Sequence, residues 1–336
     1  YHGQPQPISD DPAVPRSYGS IGWLRLGSGI FVISEPSGAM SWFPANNHPS
    51  DKATYEFTIT VAKPYVVAAN GLLIDEQEHG ERRTYVWAEN KPLASYLATL
   101  AIAPFVVKTD QGPDDLPIRH YLPRTASPEL VAALDETPAM LRFFNELIGP
   151  YPFDAYALAI IDDERVQIGL EAQTLTILPI RRVGREQLHE LAHQWFGNSV
   201  TPSTWQDTWL NEGFATYAEW LWVEEKQGQA ALHELAQAHY KRMQRAQLGP
   251  PALPPPDQLF GEAVYLRGAW TLHALRFELG DDAFFTLLHH VLHRRRRVAH
   301  LGDALSLWQR QHAGLDRPGR GSKRSLIGGF LPGLAL

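Results

Sequence analysis

The run His189-Glu190-Leu191-Ala192-His193, followed after eighteen residues by Glu212, restricts this 336-residue chain more than any other feature. Glu186 to Phe196 contain no helix breaker and Gly197-Asn198 offers a stop, so the spacing predicts a helix over 186–196. On such a helix the two histidines stand one turn apart, with about 5–6 Å between Cβ atoms, and face the same way. Two imidazoles so placed suit a single zinc ion at about 2.0–2.1 Å. Glu190 projects to the side of the pair, where a carboxylate reaches a coordinated water without ligating the metal.

The third ligand has to return from elsewhere. Asp207-Thr208-Trp209 predicts the start of a second helix, with Phe214, Tyr217 and Leu221 on one apolar stripe and Glu212, Ala215, Thr216 and Glu219 on a different face. An inward carboxylate on a largely apolar helix needs a partner, because burying it alone is costly. A zinc ion held by His189 and His193 is such a partner. Glu219, two turns further on, is a candidate acceptor for a histidine N–H. Three protein ligands leave a position for water, whose pKa zinc lowers to about 7. Glu190 then takes the remaining proton as the water attacks a carbonyl, and delivers it to the leaving amine. The predicted chemistry is metal-assisted amide hydrolysis with one zinc ion.

Composition narrows the alternatives. With 30 basic and 37 acidic residues the net charge is −7, which argues against a nucleic-acid surface. The absence of cysteine excludes disulfides, thiolate ligands and thiol catalysis, and leaves the compartment open. A soluble, cytoplasmic setting is slightly favoured over a secreted one. No apolar run approaches the ~20 residues that span a bilayer. Arg294 to Arg297 read as the solvated end of a helix.

Periodicity predicts two domains of an α+β protein. Residues 1–110 hold short alternating runs (Ile30-Phe31-Val32-Ile33, Tyr55 to Val61, Tyr65 to Ala68, Thr84 to Trp87) separated by turns such as Asn70-Gly71. They suggest a partial antiparallel β saddle or sandwich. Lys108 to Asp115 reads as a linker, and residues 111–313 as a mainly helical catalytic domain. There a helix over 128–148 capped by Ser127, with Leu130, Leu134, Met140, Leu141 and Phe144 inward, precedes strands at 156–161 and 175–178. Residues 314–336, rich in Gly, Pro and basic side chains, are expected to form a disordered tail.

Taken together, HELAHQWFGN at 189–198 and WLNEGFA at 209–215 resemble the zinc-site pattern of the gluzincin aminopeptidases. Ile168-Gly169-Leu170-Glu171-Ala172 is similar to that family's GAMEN motif, with leucine and alanine in place of methionine and asparagine. The resemblance implies that Glu171 binds a substrate's free α-amino group, with Gly169 beside it in the substrate site. Tyr265-Leu266-Arg267-Gly268 resembles the family's YxKG element, with arginine for lysine, and implies that the Tyr265 hydroxyl stabilises the tetrahedral intermediate. Trp42 to Ala53 is similar to a segment of the family's β domain. The resemblance spans residues 1–313 and implies an N-terminal β saddle, a thermolysin-like catalytic domain, and truncation at both ends.

The expected activity is removal of N-terminal residues from peptides with a free N-terminus. A thermolysin-like endopeptidase shares the metal pattern but has no use for Glu171. An epoxide hydrolase is a weaker alternative, and a catalytically impaired peptide-binding scaffold is the non-enzyme one. Residue preference and oligomeric state are not legible in the spacing.

Overall fold

A computed structural model describes residues 2–16, 19–27, 29–184 and 186–293. The tail expected over 314–336 and the run Arg294 to Arg297 lie outside them. The chain divides into two compact units, one of residues 1–146 with 150–194, the other of 147–149 with the residues from Trp195 onward.

The first unit begins with strands β1 (Gly22–Leu26), β2 (Gly29–Ile33), β3 (Lys52–Ala62), β4 (Val66–Ala69), β5 (Leu72–His79), β6 (Arg82–Ala94) and β7 (Leu100–Ala103). They form two antiparallel sheets, ordered β1-β2-β7-β4 and β3-β6-β5. The long paired strands β3 and β6 alternate more buried with less buried side chains along much of their length, the period of a sheet with one wet face. Asn70-Gly71 turns the chain between β4 and β5, with Gly71 at φ +86°. A Cβ there would lie 2.1 Å from the Ala88 carbonyl oxygen, so the position admits only glycine.

Strands β8 (Val106–Gln111), β9 (Pro117–Leu122), β10 (Tyr156–Ile161) and β11 (Leu175–Pro179) build a third, mixed sheet in the order β11-β10-β9-β8. The segment expected to be a linker is therefore partly strand: Lys108 to Gln111 pair with β9. Its polar character reflects an edge strand whose side chains stay largely exposed, a common way of blunting an edge. The central strand β10 runs parallel to both neighbours, and every residue of β10 and β11 is buried. Parallel strands covered on both faces read as continuous apolar runs, as these do.

The crossover from β9 to β10 carries α1 (Pro128–Leu134) and α2 (Thr137–Leu147), two helices where the periodicity predicts one. The Ser127 hydroxyl accepts the Leu130 N–H at 3.2 Å, as the cap requires. The break comes from Pro138, which has no N–H to offer the Leu134 carbonyl. The Thr137 hydroxyl donates to that carbonyl at 2.7 Å instead and starts the next helix.

The helix carrying the histidines, α3, is shorter than predicted and spans Gln187–Ala192 with His193 closing it. The Gln194 N–H bonds the Leu191 carbonyl at 3.1 Å, tightening the last turn.

In the second unit, residues 195–200 curl on themselves through Val200 N–H to Trp195 O and Gly197 N–H to Val200 O, with Gly197 at φ +124°. Helices α4 (Trp209–Gln227), α5 (Gln229–Ala246), α6 (Gly268–Leu279) and α7 (Asp281–His293) follow. The expected stripe on α4 widens to every position from Asn211 to Ala218, since Ala215 and Thr216 are buried along with Phe214 and Tyr217. A helix buried on all sides in this way belongs to the centre of its unit. Among the described residues no helix is long and apolar enough to cross a membrane.

Candidate active site

In the first unit the site is assembled on the free side of β11. Leu170 and Ile177 exchange two backbone hydrogen bonds of 2.8 Å, which lays Ile168 to Ala172 antiparallel along that strand. Leu170 is buried in the core, and alternation turns Gly169 and Glu171 to the opposite face.

Glu190 occupies the space above Gly169. A Cβ on that glycine would lie 2.4 Å from Glu190 Oε1, so the absence of a side chain there is what admits the carboxylate. The His189 and His193 rings stand 4.9 Å apart between centroids at 75°, with His189 half-buried and His193 buried. Glu171, Glu190 and His193 each bring a ligand-type atom within 4.8 Å of the other two, and all three are buried. Imidazole nitrogens and carboxylate oxygens without any thiolate are a donor set that zinc accepts.

One acidic residue that sequence reasoning missed stands beside this group. A carboxylate oxygen of Glu35 lies within 4.8 Å of one of Glu171, so two acids from distant parts of the chain face a common space. Glu35 lies in Ser34-Glu35-Pro36 after β2, and only an acid interrupting an otherwise apolar strand end signals it in the sequence.

The second unit positions Glu212 and Tyr265. Glu212 is buried in the first turn of α4, and Phe214 stacks on Phe196 at 4.0 Å and 6°. Tyr265 is half-buried in a π-helical turn, Ala263–Arg267, a widened turn of the kind frequent at functional positions. Arg267, standing where lysine was expected, donates from Nη1 to the Leu248 carbonyl at 2.5 Å, and so ties that turn to the end of α5. Glu219 is half-buried, and its charge acts on His239, raising that imidazole's pKa against the larger lowering effect of burial.

The family model described as "Peptidase family M1 domain" matches residues 132–311, more than half of the chain, and "Peptidase M1 N-terminal domain" matches 30–97. The chain belongs to peptidase family M1. Its fold is the two-domain one of that family, a β-sheet domain followed by a helical catalytic domain.

Among M1 relatives, a mutant of the M1 zinc metallopeptidase from Deinococcus radiodurans, crystallised bound to a Tyr-Ser-Ala substrate, superposes with a TM-score of 0.82 at 32% identity. The match covers 98% of this chain and 74% of that one. Aminopeptidase M1 of Arabidopsis thaliana is 27% identical over 282 residues, 74% of this chain and 31% of the relative. Leukotriene A-4 hydrolase of Xenopus laevis is 32% identical over 206 residues, 56% of this chain and 32% of the relative. The chain thus spans about a third of the length of these curated relatives.

Proposed function

We propose that this M1 chain is a zinc aminopeptidase that hydrolyses the first peptide bond of peptides with a free N-terminus. The observation that carries this is the convergence of Glu171, Glu190 and His193 within 4.8 Å in one unit. An acid able to hold an ammonium, an acid able to move a proton and a metal-binding imidazole thereby share one space.

His189, His193 and Glu212 would hold one zinc ion. When bound, such an ion would lower the pKa of a water and act as a Lewis acid towards the scissile carbonyl. Glu190 accepts the proton of the attacking water and donates it to the leaving amine, both within reach of one carboxylate. Tyr265 hydrogen-bonds the developing oxyanion through its hydroxyl. Glu171, together with Glu35, binds the substrate ammonium, which fixes the first residue against the base and sets the cut at the first bond. The relative from Deinococcus radiodurans, bound to a Tyr-Ser-Ala substrate, supports a peptide as the ligand.

A panel of free and N-acetylated peptides tests this. Cleavage of the free forms from the N-terminus and none of the acetylated forms is expected. Equal cleavage of both, or internal cuts, would overturn the exopeptidase assignment in favour of an endopeptidase.

A further inference from the structure

Glu171 leads into a short turn, and side chains on two sides hold that turn, Asn70 among them through its amide to the Gln173 carbonyl. The Leu175 N–H donates to the Ala172 carbonyl at 3.1 Å, closing a turn with Thr174 at φ +62°. Glycine or asparagine normally fills such a place, because a β-branched side chain crowds the backbone there. Thr174 is nevertheless buried and fully engaged. Its hydroxyl oxygen accepts the Gly71 N–H at 2.6 Å and lies 3.2 Å from Glu89 Oε2, so β-sheet residues brace the turn from one side.

Gln194 braces it from the other. Its Nε2 donates to the Glu171 carbonyl at 3.1 Å and the Ala172 carbonyl at 3.3 Å. Its Oε1 accepts the Thr174 N–H at 3.0 Å and the Tyr151 hydroxyl at 3.4 Å. The side chain is 0% exposed, and both its donors and its carbonyl oxygen are engaged. Gln194 is also covalently next to His193. The backbone of the ammonium-binding residue is therefore gripped by the neighbour of a metal-binding one, without any intervening flexible link.

We infer that Gln194 is a positioning residue that sets the distance between the substrate ammonium site at Glu171 and the metal-binding end of α3. This rests on the aminopeptidase assignment above. The consequence is specific. Losing the amide leaves His189 and His193 in place but releases the turn, so recognition of the ammonium weakens while metal binding persists. A merely structural side chain would weaken everything together.

The test is calorimetric binding of two ligands to the zinc-loaded full chain: an amino-acid hydroxamate and its des-amino analogue, which share the metal-binding group and differ in the ammonium. Wild-type protein should prefer the amino form, and Glu171→Gln should remove that preference. Gln194→Met, matched in length but unable to hydrogen-bond, should cut the preference by about tenfold or more, the scale of a charge-assisted hydrogen bond. Zinc stoichiometry and affinity for the des-amino hydroxamate should stay at wild-type levels. Gln194→Glu, which keeps the acceptor for Thr174 and loses the donors to the two carbonyls, should fall with it.

An undiminished preference in Gln194→Met overturns the inference, as does parallel loss of zinc or of the des-amino ligand. Failure of both variants to fold assigns the side chain to holding the fold and overturns it as well. If wild-type protein shows no preference, the aminopeptidase assignment itself has failed, which is seen before any Gln194 variant is made.

Discussion

Gly213 and Gly268 meet backbone to backbone. A Cβ on Gly213 would lie 2.9 Å from the Gly268 Cα, and one on Gly268 would lie 2.9 Å from the Gly213 Cα. Gly213 follows Glu212, and Gly268 closes the turn that carries Tyr265, so this crossing fixes the spacing of α4 and the start of α6. Alanine ordinarily stabilises a helix relative to glycine, but here its methyl meets backbone atoms that cannot swing aside. Gly213→Ala should therefore destabilise by about 1–3 kcal/mol, the usual cost of overpacking. Denaturant melts measure the loss, and kcat on an aminoacyl arylamide should fall more than KM rises.

The gap over Gly169 makes a second prediction. Gly169→Ala puts a methyl where Glu190 Oε1 now lies, 2.4 Å away, and displaces the base. Turnover should drop by about 10²–10⁴, the usual worth of a positioned general base, with zinc content unchanged. Glu190→Gln should behave alike, whereas His189→Ala should lose the metal. Metal analysis beside single-turnover rates separates the three, and full activity in Glu190→Gln would contradict the proposed mechanism.

His120 gives a pH dependence of stability. It is buried on β9, its Nε2 lies 3.4 Å from the Thr137 hydroxyl, and burial holds its pKa down to about 4. The ordinary value is near 6.5, so the unfolded chain binds the extra proton first. This contribution to stability is complete above about pH 6.5 and is lost as pH falls towards 4, by roughly 3 kcal/mol at most. Denaturation midpoints across that window should show the loss in the wild type and a shallower slope in His120→Gln. Equal slopes would contradict a neutral buried imidazole.

Arg276 joins three helices of the second unit. It bonds Glu224 of α4 at 2.6 and 3.2 Å and Asp281 of α7 at 2.8 and 2.9 Å, and is itself largely buried on α6. Asp281 is well exposed and Glu224 partly so, and water would solvate the released carboxylates, so Arg276→Ala should cost about 1–3 kcal/mol. Lysine, with a single ammonium, cannot reproduce two forked contacts and should rescue little. Thermal melts of the two variants check both statements.

How far the chain could be read from its residues depended on the range of each signal. The one-turn spacing of His189 and His193 is local, and so is the alternation of β3; both were plain. The break between α1 and α2 was also local, carried by Thr137-Pro138, but apolar periodicity ran straight across it. Lys108 to Gln111 looked like a linker because an edge strand with wet side chains has the composition of a loop. Glu35 and Gln194 were invisible for a different reason. Their neighbours, Glu171 and the 171–174 turn, come from other parts of the chain, and contacts across such distances leave no periodic trace.

Thr174 carries a consequence for anyone who would improve this protein. By turn preference alone, asparagine or glycine suits φ +62° better than threonine. A library screened for heat resistance would be drawn to those replacements. Each would take away the hydroxyl that receives the Gly71 N–H, leaving the Glu171 turn easier to form and less well aimed. Selection for endurance and selection for substrate choice pull this position in opposite directions.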